Sequence, residues 1–380
     1  MKTLADYRRD LHQIPELGFA EFKTLAYLLA QLTPLDCTLH TLKPTGLLAY
    51  FDCGREQVPT IGFRADMDGL PMVEETGLPF ASTHPQTMHA CGHDGHCAML
   101  LGLANHLHTH RETVGVNVLL IFQPSEENEA GANVVLDSGY LARYAVQAIF
   151  GLHLWPGLSF GQVFTRAHEL MAASSELDIV VSGKSTHIAH HPQSVDALAI
   201  ATQLIERLYH FERQWLSDHY RLLRFGQLNA GTVRNAIAST AQLRGSLRSF
   251  YDETHQFLKQ NIQSICDTLA QATGATIAIN YNDGYEAVLN DPELVALLSH
   301  LPDLNPLKHP VMQAEDFGLY RKHCPILFSF LGVGDTPPLH AQDFDFEMSV
   351  LEHGLAYWIA VLTVCASEDG LAFFRGFDDE

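Results

Sequence analysis

The 380-residue sequence predicts an α/β protein: a mostly parallel sheet with helices on both faces, interrupted by a smaller inserted α+β unit. Three observations predict it. Up to about residue 170, strand-length apolar runs alternate with helix-length amphipathic ones, the pattern of a parallel sheet. From about 172 the texture changes to half-exposed alternating strands with two long helices, and after about 285 the first texture resumes. The expected division is a discontinuous domain, 1–170 with 285–380, enclosing a second domain at 171–284. Such insertions are tolerated because domain termini often lie close together.

Residues 3–13 and 20–32 carry apolar positions at helical spacing, separated by Pro15 and Gly18. Residues 47–53 and 59–65 are apolar and strand-length. A helix is expected over 94–109, with Asp94 as its N-cap. A buried strand at 116–122, a short helix at 130–138 and a strand at 147–153 follow. In the insertion, 175–182 alternates like a strand with one open face. A helix at 193–213, strands at 221–228 and 240–249, a helix at 252–272 and a strand at 275–281 complete it. Four strands with two helices make a ferredoxin-like unit. A strand at 325–332 and a helix at 346–364 close the larger domain, and the acidic tail 366–380 is expected to be poorly ordered.

Hydrophobic residues at 47% and charged residues at 18% suit a folded chain with a sizeable core. The formal net charge of −21 argues against nucleic acid, whose phosphates need a basic face, and against anionic membranes. The first residues hold no apolar leader, and no run of 18 apolar residues occurs, so neither a signal peptide nor a membrane span is expected. The seven cysteines are scattered and form no CxxC, which points to a reducing cytoplasm without disulfides. Of the 22 histidines, His84, His89, His93, His96, His106, His108 and His110 crowd one stretch, where most read as surface.

Five groups carry chemistry. Arg64-Ala65-Asp66-Met67-Asp68 places two carboxylates at a strand end, where ligands of open α/β sheets sit. In Cys91-Gly92-His93 a thiol and an imidazole can face one point from a turn, and both suit zinc-like ions. His89 and His96 are weaker candidates, for a supporting or surface position. Glu126 and Glu127 follow the buried strand; one of such a pair can ligate metal while the other takes a proton from water. His153 ends the next strand, and His340 follows a Gly-rich segment. Each alone has a bland reading, as a turn, a buried thiol, a charged loop or a structural histidine. Together they converge, because four of the five follow predicted strands. One Cys, three His and a Glu suit two metal ions, with Asp66, Asp68 and Glu126 left for supporting and acid–base work.

These motifs, in this order over nearly the whole chain, resemble the aminoacylase/carboxypeptidase-like metallopeptidases, in the amidohydrolase branch that includes hippurate hydrolase and auxin-conjugate hydrolases. The segments Arg8–Phe19, Arg64–Gly77 and Phe80–His84 lie partly outside the generic metal motifs and narrow the resemblance to bacterial deacetylases of that branch. The resemblance implies Cys91, His93, Glu127, His153 and His340 as ligands of divalent metal, two ions of zinc, manganese or cobalt. It implies Glu126 as general base and a catalytic carboxylate in the Asp66/Asp68 pair. Peptidase relatives carry His where Asp66 stands, and Cys91 compensates.

The insertion resembles the family's lid, which also forms a homodimer. Gly183-Lys184-Ser185-Thr186-His187-Ile188-Ala189 matches a Gly-Lys-Gly-Gly-His-Ala run with Ser-Thr in place of Gly-Gly. The resemblance implies that His187 steadies an oxyanion and that Asn235 with Arg234 holds the carboxylate of a small acylated amino-acid substrate. Three other readings compete: a broader N-acyl-amino-acid hydrolase, a catalytically dead binding protein, and a hydrolase using Cys91 as nucleophile.

Overall fold

The structure is a computed structural model, and it describes residues 2–214 and 220–376. Along the chain run α1 (Leu4–His12), α2 (Phe22–Leu32), β1 (Thr38–Thr41), β2 (Leu47–Phe51), β3 (Thr60–Asp66) and α3 (His93–Val114). Then come β4 (Asn117–Gln123), α4 (Glu126–Glu129), α5 (Ala132–Asp137), α6 (Tyr140–Arg143), β5 (Val146–Trp155), β6 (Val163–Thr165) and β7 (His168–Met171). Next are β8 (Ala173–Ser182), α7 (Ala197–Gln214), β9 (Arg221–Ala230), β10 (Thr240–Ser249), α8 (Asp252–Thr273) and β11 (Thr276–Asp283). The chain continues through β12 (Val288–Asn290), α9 (Pro292–Leu298), β13 (Leu304–Pro306), β14 (Ile326–Gly332), α10 (Val350–Cys365) and α11 (Glu368–Arg375).

The chain forms two compact units: Met1–Leu170 with Leu289–Pro310 and Asp316–Glu380, and Met171–Val288 with Val311–Glu315. The first holds an eight-stranded sheet in the order β1-β2-β4-β3-β5-β14-β6-β13. Its centre, β4-β3-β5-β14, is parallel throughout, while β1, β2 and the β6–β14 pair run antiparallel to their neighbours. Every residue of β3 and of β14 is buried. Continuous burial is what a parallel sheet covered on both faces requires. The core gathers Phe63, Leu120 and Phe150 from the strands, Leu100 and Leu103 from α3, Leu11 from α1 and Trp358 from α10.

Helix α1 begins with a capping box between Thr3 and Asp6. It buries an unusual face that includes Arg8 and His12. Both reach the start of α3: Arg8 Nε donates to Asp94 Oδ2 at 3.2 Å, and His12 Nδ1 lies 2.8 Å from the same oxygen. Asp94 is therefore not the N-cap expected of it. Gly92 takes that position with φ 88°, and Asp94 is committed to a buried ion cluster. The tail expectation also changes, since 368–375 form α11 and Phe374 is fully buried against the core; residues 377–380 lie outside the described residues.

The second unit is a four-stranded antiparallel sheet in the order β11-β8-β10-β9. Helices α7 and α8 cover one face through Ile200, Leu204, Leu258 and Ile262, which meet Leu177, Ile179 and Leu243. Along β8 buried residues alternate with more exposed ones, as the alternating sequence predicts. Strands β7 and β12 pair with each other as a separate two-stranded sheet.

Candidate metal centre

Three parallel strands bring the candidate donors to one edge of the first unit. Asp66 is the last residue of β3 and pairs in register with Gln123, the last residue of β4. Glu126 and Glu127 follow at once, after Ser125 takes a left-handed φ of 48°. Its N–H donates to the buried Glu21 Oε1 at 2.8 Å, which helps to hold the turn. His153 lies within β5, which continues to Trp155 instead of ending at the histidine. Cys91 and His93 come from the turn into α3, where Gly92 must adopt a left-handed φ. His340 is itself left-handed at φ 64° and is tied by its N–H to Ala90 O at 2.9 Å. Such strain in a non-glycine residue clusters at functional sites.

The donors converge. Cys91 with His93 and His153, Cys91 with Glu127 and His340, and His93 with Glu126 and Glu127 each place their ligand atoms within 4.8 Å of one another. Cys91 Sγ lies 3.5 Å from His153 Nε2, and His340 Nε2 lies 3.1 Å from Glu127 Oε1. Around these, Asp68 acts on two of them. Its Oδ1 and its carbonyl lie 3.2 and 3.0 Å from His93 Nδ1, and its Oδ2 accepts the Glu127 N–H at 3.0 Å. Asp66 has both oxygens engaged, Oδ1 by His96 Nδ1 at 2.6 Å and Oδ2 by Arg64 at 2.5 Å. Arg64 extends the network to Gln123 Oε1 and Asp316 Oδ1, each at 2.9 Å.

The residues fit a divalent cation. His93 Nε2 and Glu127 Oε1 are buried and make no hydrogen bond, a costly state unless something else satisfies them. With Nδ1 of His93 held by Asp68, its Nε2 lone pair is turned to the cluster, the usual orientation of a ligating histidine. The electrostatics call for a positive charge at this point, which the proton on His93 supplies where no cation displaces it. Burial works against a charged His93, yet Asp66 and Asp68 raise its pKa to about 10. Burial, then the nearby Glu127 and Glu126 carboxylates, push the Cys91 thiol well above its ordinary range. A site this rich in buried anions holds a thiolate only with a cation beside it.

His187, Arg234 and Asn235 lie in the second unit and are exposed. They are brought together: His187 bridges to Ala236, and the Ile188 N–H donates to Asn235 O at 3.1 Å. His89 and His96, the weaker candidates for a supporting or surface position, are both buried. The first unit also brings in residues to which the sequence assigned no role. Arg64 stands two residues before Asp66, so strand alternation already puts the two on one face. Asp316 and Tyr320 come from a distant segment and join through Gln123; only folding brings them near.

Residues 62–364 match Peptidase family M20/M25/M40; the chain belongs to that family and is a metal-dependent amidohydrolase. Among curated relatives, it is 36% identical over 366 residues to the N-acetyldiaminopimelate deacetylase of Leuconostoc citreum (strain KM20), covering 93% of this chain and 94% of that protein. It is 34% identical over 379 residues to the enzyme of that name from Streptococcus pneumoniae (strain Taiwan19F-14), covering 97% of this chain and 100% of that one. Among solved structures it superposes on the Bacillus subtilis YXEP protein, described as a dinuclear metal binding peptidase from the M20 family. That match has a TM-score of 0.84 and 31% identity, with 96% of this chain and 97% of that one covered. Together with the donor clusters, these findings support use of a divalent metal.

Proposed function

We propose that this chain hydrolyses the acetamide of N-acetyl-L,L-2,6-diaminopimelate to acetate and L,L-diaminopimelate, a step of lysine biosynthesis. One observation carries the reading: a thiol, three imidazoles and Glu127 converge at one sheet edge with a second carboxylate, Glu126, beside them. The full-length similarity to relatives named for this reaction supports the choice of substrate and disfavours the broader aminoacylase alternative. The retained ligand set speaks against a dead homologue. The raised thiol pKa disfavours Cys91 as a nucleophile.

Cys91, His93, Glu127, His153 and His340 would hold two ions of zinc, manganese or cobalt. Such ions, when bound, polarise an amide carbonyl and acidify water. Asp68 holds His93 with Nε2 directed at the site and fixes the Glu127 backbone. Glu126 takes a proton from the attacking water and passes it to the leaving amine. We assign His187 to the oxyanion, and Asn235 with Arg234 to the substrate carboxylate. We further infer that the second unit is a lid and dimerisation domain and that the enzyme works in the cytoplasm. The seven free cysteines support that location.

The decisive measurement is turnover of N-acetyl-diaminopimelate against N-acetyl-methionine and hippurate, with metal supplied. A higher kcat/KM for the diaminopimelate derivative is expected. Preference for either of the other two would replace this substrate.

A further inference from the structure

We propose that His96 is a positioning residue for the His153 and Cys91 ligand pair, acting through the peptide group of Leu154; the inference rests on reading those two as metal ligands. The ladder between β3 and β5 ends at the Arg64–Gly151 pair. Strand β5 nevertheless runs on beside β14 to Trp155. Leu154 is thus buried in a stretch that β3 no longer accompanies, and its backbone groups need other partners. Two histidine rings supply them. The Leu154 N–H donates to His96 Nε2 at 3.0 Å, and the Leu154 carbonyl accepts from His153 Nδ1 at 2.7 Å.

A backbone N–H can only donate and a carbonyl can only accept, so this one residue sets both ring tautomers. His96 keeps Nε2 bare and carries hydrogen on Nδ1, which it donates to Asp66 Oδ1 at 2.6 Å. His153 carries hydrogen on Nδ1, which leaves its Nε2 lone pair 3.5 Å from Cys91 Sγ. The two rings pack edge to face with centroids 4.5 Å apart. The Leu154 side chain completes the clamp from the other side. A Cβ placed on Gly92 or Gly95 would lie 3.0 or 2.9 Å from its Cδ1. The turn that carries Cys91 and His93 is thereby seated on the residue that orients His153. With both nitrogens engaged, His96 has no lone pair to give a metal, and Asp66 serves as its anchor, held from behind by Arg64 at 2.5 Å.

Two measurements test this. In metal-free, 15N-histidine-labelled protein, long-range proton–nitrogen spectra are expected to show His96 and His153 each as the neutral Nδ1–H tautomer. An Nε2–H or doubly protonated His96 overturns the proposal. Second, His96→Phe is expected to bind cobalt(II) about 10- to 100-fold more weakly, read from its visible absorption, with the circular dichroism of the parent. His96→Gln, which retains a donor and an acceptor, is expected to recover part of the loss. Equal cobalt affinity in the parent and the Phe variant overturns the proposal. If His96→Phe does not fold, the tautomers decide. Failure of the unsubstituted protein to bind cobalt would instead sink the ligand reading, and the tautomers would still judge the clamp.

Discussion

Glu126 and Glu127 are neighbours in different surroundings, and the separate tasks proposed for them follow from that. Glu127 has its backbone held by Asp68 and its Oε1 near His340. Glu126 is buried beside it, within reach of the same cluster. Glu126→Gln keeps the shape and removes the proposed base. It should bind metal as the parent does and lose about 10²- to 10⁴-fold in kcat, measured by steady-state turnover alongside metal content. Retained turnover would remove Glu126 from the mechanism. Cys91, His93, Glu126 and Glu127 could be singled out in the chain because each belongs to a short local pattern. His96 could be named only as a supporting or surface candidate, because its partners Asp66 and Leu154 lie 30 and 58 positions away.

At the scale of elements, the turn into α3 matters most. Gly92 sits at φ 88°, and an added Cβ would come within 3.0 Å of Leu154. Gly92→Ala should therefore destabilise the protein by about 1–2 kcal/mol from backbone strain alone, seen as a lower denaturant midpoint. A midpoint equal to the parent's would show that the turn relaxes freely. The second device is the tie between α1 and α3. Burial disfavours a charged His12, but Asp94 and then Glu74 outweigh it and raise its pKa to about 9 from an ordinary 6.5. A raised folded-state value means stabilisation that is complete below pH 6.5 and is lost as pH rises through 9. The stability difference between the parent and His12→Gln should shrink over that window, measured by urea unfolding at each pH. A pH-independent difference would contradict the charged state of His12.

Most long elements were legible: the strand expected at 240–249 has those bounds, and the helix expected at 252–272 spans Asp252–Thr273. The short ones were not. Strand β1 has no buried residue, so it carries no hydrophobic period to read. Helix α11 sits in a stretch whose acidic composition hides the buried Phe374.

For the whole molecule, the proposed ligands all belong to the first compact unit. Metal binding should therefore protect that unit in particular. At a free metal concentration 100 times Kd, stability should rise by about 2.7 kcal/mol. Hydrogen exchange with and without chelator should show the gain in β3, β5 and the start of α3. A change confined to the second unit would refute the assignment of the ligands. No single helix among the described residues is long and apolar enough to cross a membrane.

Local pattern in the chain was enough for the α/β class, the order of the long elements and the choice of candidate donors. Hydrophobic period, turn residues and short motifs all act over a few neighbouring positions, so they survive in a linear string. The arrangement around the donors required the folded chain. Asp66 is spent on Arg64 and His96, Asp94 on Arg8 and His12, and the Leu154 peptide on two histidines. Each of these is a buried polar group satisfied by partners that packing supplies, several of them from distant parts of the sequence. Burial makes such pairing obligatory, but only the fold determines which partner is near.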